Sequence, residues 1–136
     1  MRIFPRWMKR LFHQASIHDQ EYRFMFKPGP PGEVVAIDCE TTGLNPKVDD
    51  ILTVAAVKIS GKRILASERF MLTARPETRI APEAIKVHRL RESDVCDARR
   101  LYNQMPQLLH FIRGRPLVGY YLEFDMAMIN KYLLPF

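Results

Sequence analysis

Between Lys27 and Gly32 the chain reads Lys-Pro-Gly-Pro-Pro-Gly. No helix or central strand passes through such a run, because the prolines remove backbone donors and fix φ while the glycines loosen what remains. It divides the sequence into an N-terminal arm, residues 1–32, and a domain, residues 33–136. Directly after it comes Glu33-Val34-Val35-Ala36-Ile37-Asp38-Cys39-Glu40, an apolar stretch of strand length and β-branched composition, which reads as a buried strand. Whatever the domain is, it starts by burying a strand.

The period of the pattern then fixes the fold class. Thr41 to Asp50 is a loop with Gly43, Asn45 and Pro46, Ile51 to Ser60 is a second strand, and Arg63 to Thr73 a third across the turn Ser60-Gly61-Lys62. Strands joined this tightly must be antiparallel. From Pro82 the spacing becomes helical, with Pro82 suited to a first turn and Glu83 favourable beside it. Ser93 is a candidate cap for a further turn. Met105, Leu108, Leu109 and Ile112 fall on one face of a helix over 103–113. Residues 115–120 read as a short strand and Asp125 to Leu134 as another helix. The expected architecture is α/β, a mixed sheet whose first three strands form an antiparallel meander flanked by helices.

The arm is charged differently from the domain. Residues 1–30 hold six basic and two acidic residues, so +4 of the net +6 lies there. Trp7, Met8, Leu11 and Phe12, with Lys9, Arg10 and His13 between them, suggest a basic helix that packs on its own domain or lies on a membrane surface. The charges interrupt any signal-peptide core. Basic character is an electrostatic footprint for nucleic acid and equally fits a solvated tail. No apolar run is long enough to span a bilayer. Cys39 and Cys96 form no CxxC or Cys/His cluster, so both are expected to be reduced, buried thiols of a cytoplasmic protein.

Chemistry concentrates at the end of the first strand. Alternation along it puts Val35, Ile37 and Cys39 on one face and Ala36, Asp38 and Glu40 on the other. Two carboxylates on one face of an apolar strand need a compensating cation if they are buried, and Mg²⁺ or Mn²⁺ suits oxygen ligands. A bare Asp-x-Glu also fits two acids emerging into solvent. The continuation Asp38-Cys39-Glu40-Thr41-Thr42-Gly43-Leu44 is more specific: it resembles the first motif of the DEDD (DnaQ-like) 3'→5' exonucleases, the family of the proofreading epsilon subunit of bacterial DNA polymerase III. Pro82-Glu83-Ala84-Ile85-Lys86-Val87-His88 and Val118-Gly119-Tyr120-Tyr121-Leu122-Glu123-Phe124-Asp125 resemble two later segments in the family's order. The resemblance covers about residues 33–136.

That resemblance implies a ribonuclease-H-like fold and a two-metal phosphodiesterase. Asp38 would bridge two divalent ions, Mg²⁺ or Mn²⁺, with Glu40 on one and Asp125 on the other. Thr41 and Thr42 would present backbone groups to a terminal nucleotide, Leu44 would wedge beside its base, and Glu83 and His88 would line the same pocket. The implied partners are single-stranded 3' ends, with DNA favoured although related motifs also serve RNA trimming, and a DNA polymerase.

The pattern departs from the family in three places. His88-Arg89-Leu90 stands where His-Gly-Ile is usual, and Tyr121 where Asn is common. The third motif, a carboxylate preceded by His or Tyr, has no match after Asp125, so the domain is expected to be truncated at its C-terminus. An alternative follows: a catalytically inactive or incomplete relative that binds nucleic acid or a polymerase through the retained surface.

Overall fold

In the computed structural model, which describes residues 20–133, the apolar run after the Pro/Gly stretch becomes an inner strand of a four-stranded sheet. Strand β1 (Glu33–Thr41) pairs antiparallel with β2 (Ile51–Ser60), and β2 with β3 (Arg63–Thr73). The turn between β2 and β3 uses Gly61 at φ +59, a conformation glycine adopts without steric cost. Strand β4 (Leu117–Val118) lies parallel to β1 on its other side, giving the order β3-β2-β1-β4. The expected mixed sheet and meander are the ones observed. β4 is shorter than the 115–120 expected, because Pro116 has no N–H for a ladder and can offer only its carbonyl, which Val35 N–H meets at 2.9 Å.

The helices follow the apolar spacing with two adjustments. Helix α1 (Pro82–His88) begins at Pro82 and ends on Arg89, which takes φ +63. In α2 (Glu92–Val95) Ser93 is not the cap: it lies inside the turn, and the Asp94 carboxylate reaches back to the Arg91 N–H at 2.8 Å. Helix α3 (Met105–Ile112) buries Met105, Leu108, Leu109 and Ile112, the predicted face. Helix α4 (Leu122–Leu133) starts three residues before the expected Asp125. Tyr121, at φ +51, ends the preceding turn, and the Phe124 N–H bonds its carbonyl at 3.0 Å.

One face of the sheet makes the core. Val35, Ile37, Cys39, Val54, Ala56 and Leu72 pack on residues of α3 and α4, among them Met105, Leu108, Leu122 and Ile129. Each fully buried aliphatic side chain here contributes about 1.5–3 kcal/mol. A smaller cluster of Leu52, Ile80 and Val95 seats α1 and α2 beside the start of β2. The opposite face of β1 carries Ala36, Asp38 and Glu40, paired across the strands with Val57, Ala55 and Thr53, and is more open.

Part of the arm belongs to this core. Gln20–Phe26 forms a 3₁₀ helix with Tyr22 buried and Phe24 stacked on the His110 ring, centroids 4.5 Å apart. The Pro/Gly stretch then runs along the α3–β4 turn, where the Gly29 N–H donates to the Gly114 carbonyl. A Cβ at Gly114 would lie 1.6 Å from the Lys27 carbonyl oxygen, so only glycine permits the approach. The helix expected around Trp7 and Leu11 lies outside the described residues. The two cysteines differ: Cys39 is buried as expected, but Cys96 is exposed, because it closes a one-turn helix whose only buried residue is Val95. Among the described residues no helix is long and apolar enough to cross a membrane.

Candidate active site

The end of β1 is shaped by its neighbours on both sides. On the β2 side the register shifts between Glu40 and Thr41, so Leu52 is skipped and the strand end is bent; such bulges re-aim side chains next to functional sites. On the β4 side Gly119 lets the chain approach so closely that a Cβ there would be 2.8 Å from the Ile37 carbonyl oxygen. That approach brings the first turn of α4, and Asp125 with it, against the strand.

Three carboxylates meet in this region with different surroundings. Asp38 is exposed and Glu40 half-buried, on the open face of the strand. Asp125 is buried at 3% exposure beside Cys39, whose backbone N–H and thiol favour its charged form. Burial, then the negative charge of Asp38, pushes the Asp125 carboxyl up to about 6, with Glu40 adding to the effect and the Cys39 donors opposing it. Burial also pushes the Cys39 thiol up, as do the charges of Asp125, Asp38 and Glu40, so this thiol is not an activated nucleophile.

The donor chemistry fits a hard divalent cation: oxygen ligands, negative charge, and one member whose ionisation its neighbours oppose. The side chains are nevertheless not drawn onto one point. Among the described residues no three His, Cys, Asp or Glu side chains are grouped so as to hold an ion. The pleat is the reason: Cys39 faces the helices, Asp38 and Glu40 face away, and Asp125 lies beside Cys39.

The other residues singled out by the sequence occupy varied positions. The Thr41 hydroxyl donates to the Gly43 carbonyl at 2.7 Å. His88 accepts the Leu90 N–H at Nδ1, which leaves Nε2 to donate to the Thr41 carbonyl at 3.1 Å. His88 therefore joins α1 to the end of β1. The backbone groups of Thr42 already have partners within the fold. Thr42 is fully buried, its N–H donates to the Asp50 carbonyl, and its carbonyl accepts the Ala81 N–H. Leu44 stands 86% exposed at the tip of the loop, and Glu83 is exposed on α1.

Asp50 and Tyr132 were not singled out. Asp50 is buried with its carboxylate bonded to Thr78 and Tyr132, and Tyr132 belongs to the same helix as Asp125. The available signal was helical spacing: Tyr132 follows Asp125 by seven residues and shares its face.

The model of the exonuclease family (RNase_T) matches residues 35–136. A DNA polymerase III PolC-type from Caldanaerobacter subterraneus subsp. tengcongensis is 36% identical over 100 residues, covering 74% of this chain and 7% of that protein. The DNA polymerase III subunit epsilon of Treponema pallidum is 31% identical over 98 residues, covering 72% of this chain and 45% of that protein. The chain thus spans less than half the length of either relative. Among solved structures, exonuclease X in complex with 5' overhanging duplex DNA superposes with TM-score 0.58 at 24% identity, over 70% of this chain and 52% of that one. Product-bound exonuclease I gives TM-score 0.68 at 14% identity, over 76% and 25%. These neighbours share the ribonuclease-H-like fold.

Proposed function

The chain belongs to the exonuclease family, and on that premise we propose that it hydrolyses terminal phosphodiester bonds of single-stranded nucleic acid, DNA by preference, from the 3' end. The observation that carries this reading is Asp125: a buried carboxylate held beside β1 with two further acids in electrostatic reach. Such an arrangement opposes its own ionisation and is relieved by a cation. Support for DNA comes from the relatives, which are DNA polymerase III proteins, and from the exonuclease X neighbour, which binds a DNA duplex. A DNA polymerase is the corresponding protein partner.

Asp38, Glu40 and Asp125 would hold two divalent ions, Mg²⁺ or Mn²⁺, with Asp38 shared. When bound, the ions supply a lowered pKa for the attacking water and a sink for charge on the leaving 3' oxygen. The remaining work falls to the chain itself. Asp125, once ionised, would be one of the ligands. Thr41 and the exposed Leu44 meet the terminal nucleotide, with Glu83 beside them. His88 keeps Thr41 in place, and Thr42 supports the loop from beneath. Residues 33–136 form the exonuclease unit, and the basic residues of the 1–32 arm attract the polyanion.

A second reading is an inactive relative that binds nucleic acid or a polymerase. It is favoured by one observation, that the three carboxylates are not gathered as a ligand group. Release of nucleotides from a 3'-labelled single strand, with Mg²⁺ or Mn²⁺ and with Asp38→Ala alongside, separates the two. Metal-dependent release abolished by Asp38→Ala is the expected result. No release, with strand binding retained in both proteins, moves the conclusion to the binding module.

A further inference from the structure

The carboxylate of Asp50 joins three segments of the chain. One oxygen accepts the backbone N–H groups of Glu77 and Thr78 at 2.8 and 2.9 Å and the Thr78 hydroxyl at 3.0 Å. The other accepts the Tyr132 hydroxyl at 2.9 Å and lies 3.9 Å from Lys131 Nζ. Lys131 also donates to the Asp49 carbonyl. The Asp50 N–H donates to the Thr42 hydroxyl oxygen at 2.9 Å, so the same residue grips the end of the loop that begins at β1.

The helix end of this junction is informative. Tyr132 lies seven residues beyond Asp125, which is about two turns and about 10 Å along the axis, and within about 20° of the same face. One face of α4 therefore touches the β1 region twice: at Cys39 through Asp125, and at Asp50 through Tyr132. Leu122, Met126, Met128 and Ile129 already pack this helix into the core, but apolar contacts are less directional than hydrogen bonds. Two polar contacts two turns apart on one face sharpen that packing to one register.

We infer that Asp50 and Tyr132 form a register clamp, a pair of positioning residues that sets where Asp125 stands relative to Asp38 and Glu40. What those carboxylates do rests on the function proposed above, whereas the clamp is defined by hydrogen bonds alone. Neither residue touches a reacting atom. Burial and the Asp50 hydrogen bond push the Tyr132 phenol up, so the hydroxyl stays a donor throughout the working pH range.

The test compares Tyr132→Phe with Thr78→Val in the full chain. Both remove one hydroxyl bond to Asp50, but only the first is on α4. Amide hydrogen exchange of Cys39, which lies beside Asp125 where α4 meets β1, reports the register without any metal. It is expected to speed up about tenfold in Tyr132→Phe, as loss of one buried hydrogen bond allows, and to stay unchanged in Thr78→Val. Mn²⁺ titration of the same proteins is expected to show affinity weakened roughly tenfold in Tyr132→Phe alone, as for other residues that orient a ligand. Unchanged Cys39 exchange in Tyr132→Phe overturns the clamp, and so does equal acceleration in both variants, which would make Asp50 a plain structural junction. If the parent protein binds no Mn²⁺ while Cys39 exchange accelerates in Tyr132→Phe only, the clamp stands and the catalytic reading of the carboxylates fails.

Discussion

Asp50 and Asp125 are both buried carboxylates, 9% and 3% exposed, and both contact α4 or belong to it. Their surroundings are opposite. Among the described residues the partners of the Asp50 carboxylate are donors: two backbone N–H groups, two hydroxyls and the Lys131 ammonium. Around Asp125, Cys39 favours the charged form, and two further acids oppose it. A carboxylate ringed by donors is a fixture, since its charge is compensated on folding. One ringed by acids is held in a state the fold alone does not favour. The first holds the scaffold, and the second is where the proposed cation would act.

The contrast can be broken most forcefully at Asp50. Asp50→Ala leaves the Glu77 and Thr78 amides and the Tyr132 hydroxyl without their acceptor, and is expected to destabilise the protein by about 3 kcal/mol or more. A urea melt showing less than about 1 kcal/mol would dissolve the distinction between the two acids. At Asp125 the sign reverses. Its carboxyl titrates at about 6 in the folded chain against an ordinary 3.8, so the folded state holds the proton longer. Stability is therefore lost as pH rises from about 4 to about 6 and stays lower above that range. Asp125→Asn without metal should match the parent near pH 4 and exceed it at pH 8, by about 3 kcal/mol at most. Melts of both proteins across that pH range would show the idea wrong if the variant were the less stable at pH 8.

A smaller effect sharpens the same comparison by asking where the site region carries backbone strain. Arg89 and Tyr121, at φ +63 and +51, occupy left-handed positions, and they are the two places where the family pattern usually has Gly and Asn. The departures thus have a conformational meaning: side chains stand where the backbone prefers a residue that tolerates positive φ. Arg89→Gly is expected to raise stability by about 1 kcal/mol and Tyr121→Asn by about half that. Thermal midpoints that fall in both variants would show that these side chains contribute more than their backbones cost.

The strands were almost fully legible. β2 and β3 run over the residues their composition predicts, because a β-branched run ended by Gly61 leaves little freedom. The placement of Asp38 and Glu40 on one face followed from a period of two. The start of α4 was misplaced, since no local pattern announces a left-handed tyrosine. What the sequence withheld was mostly long-range. Nothing near Cys39 says that it will lie beside Asp125, and the Asp50–Tyr132 bond spans 82 positions. Thr42 belongs to a motif that predicts ligand contact, yet its backbone groups bond Asp50 and Ala81, partners invisible until the loop has closed.

The short parallel pairing of β4 with β1 also bears on the order of folding. β1, β2 and β3 follow one another along the chain and can zip together through local connections. β4 must find β1 across a separation of 82 residues and gains only two residue pairs when it does. Closing so long a loop for so little reward is slow, and it is expected to come late. Asp125 reaches Cys39 only with that closure, so a refolding chain acquires its strands before it acquires its site.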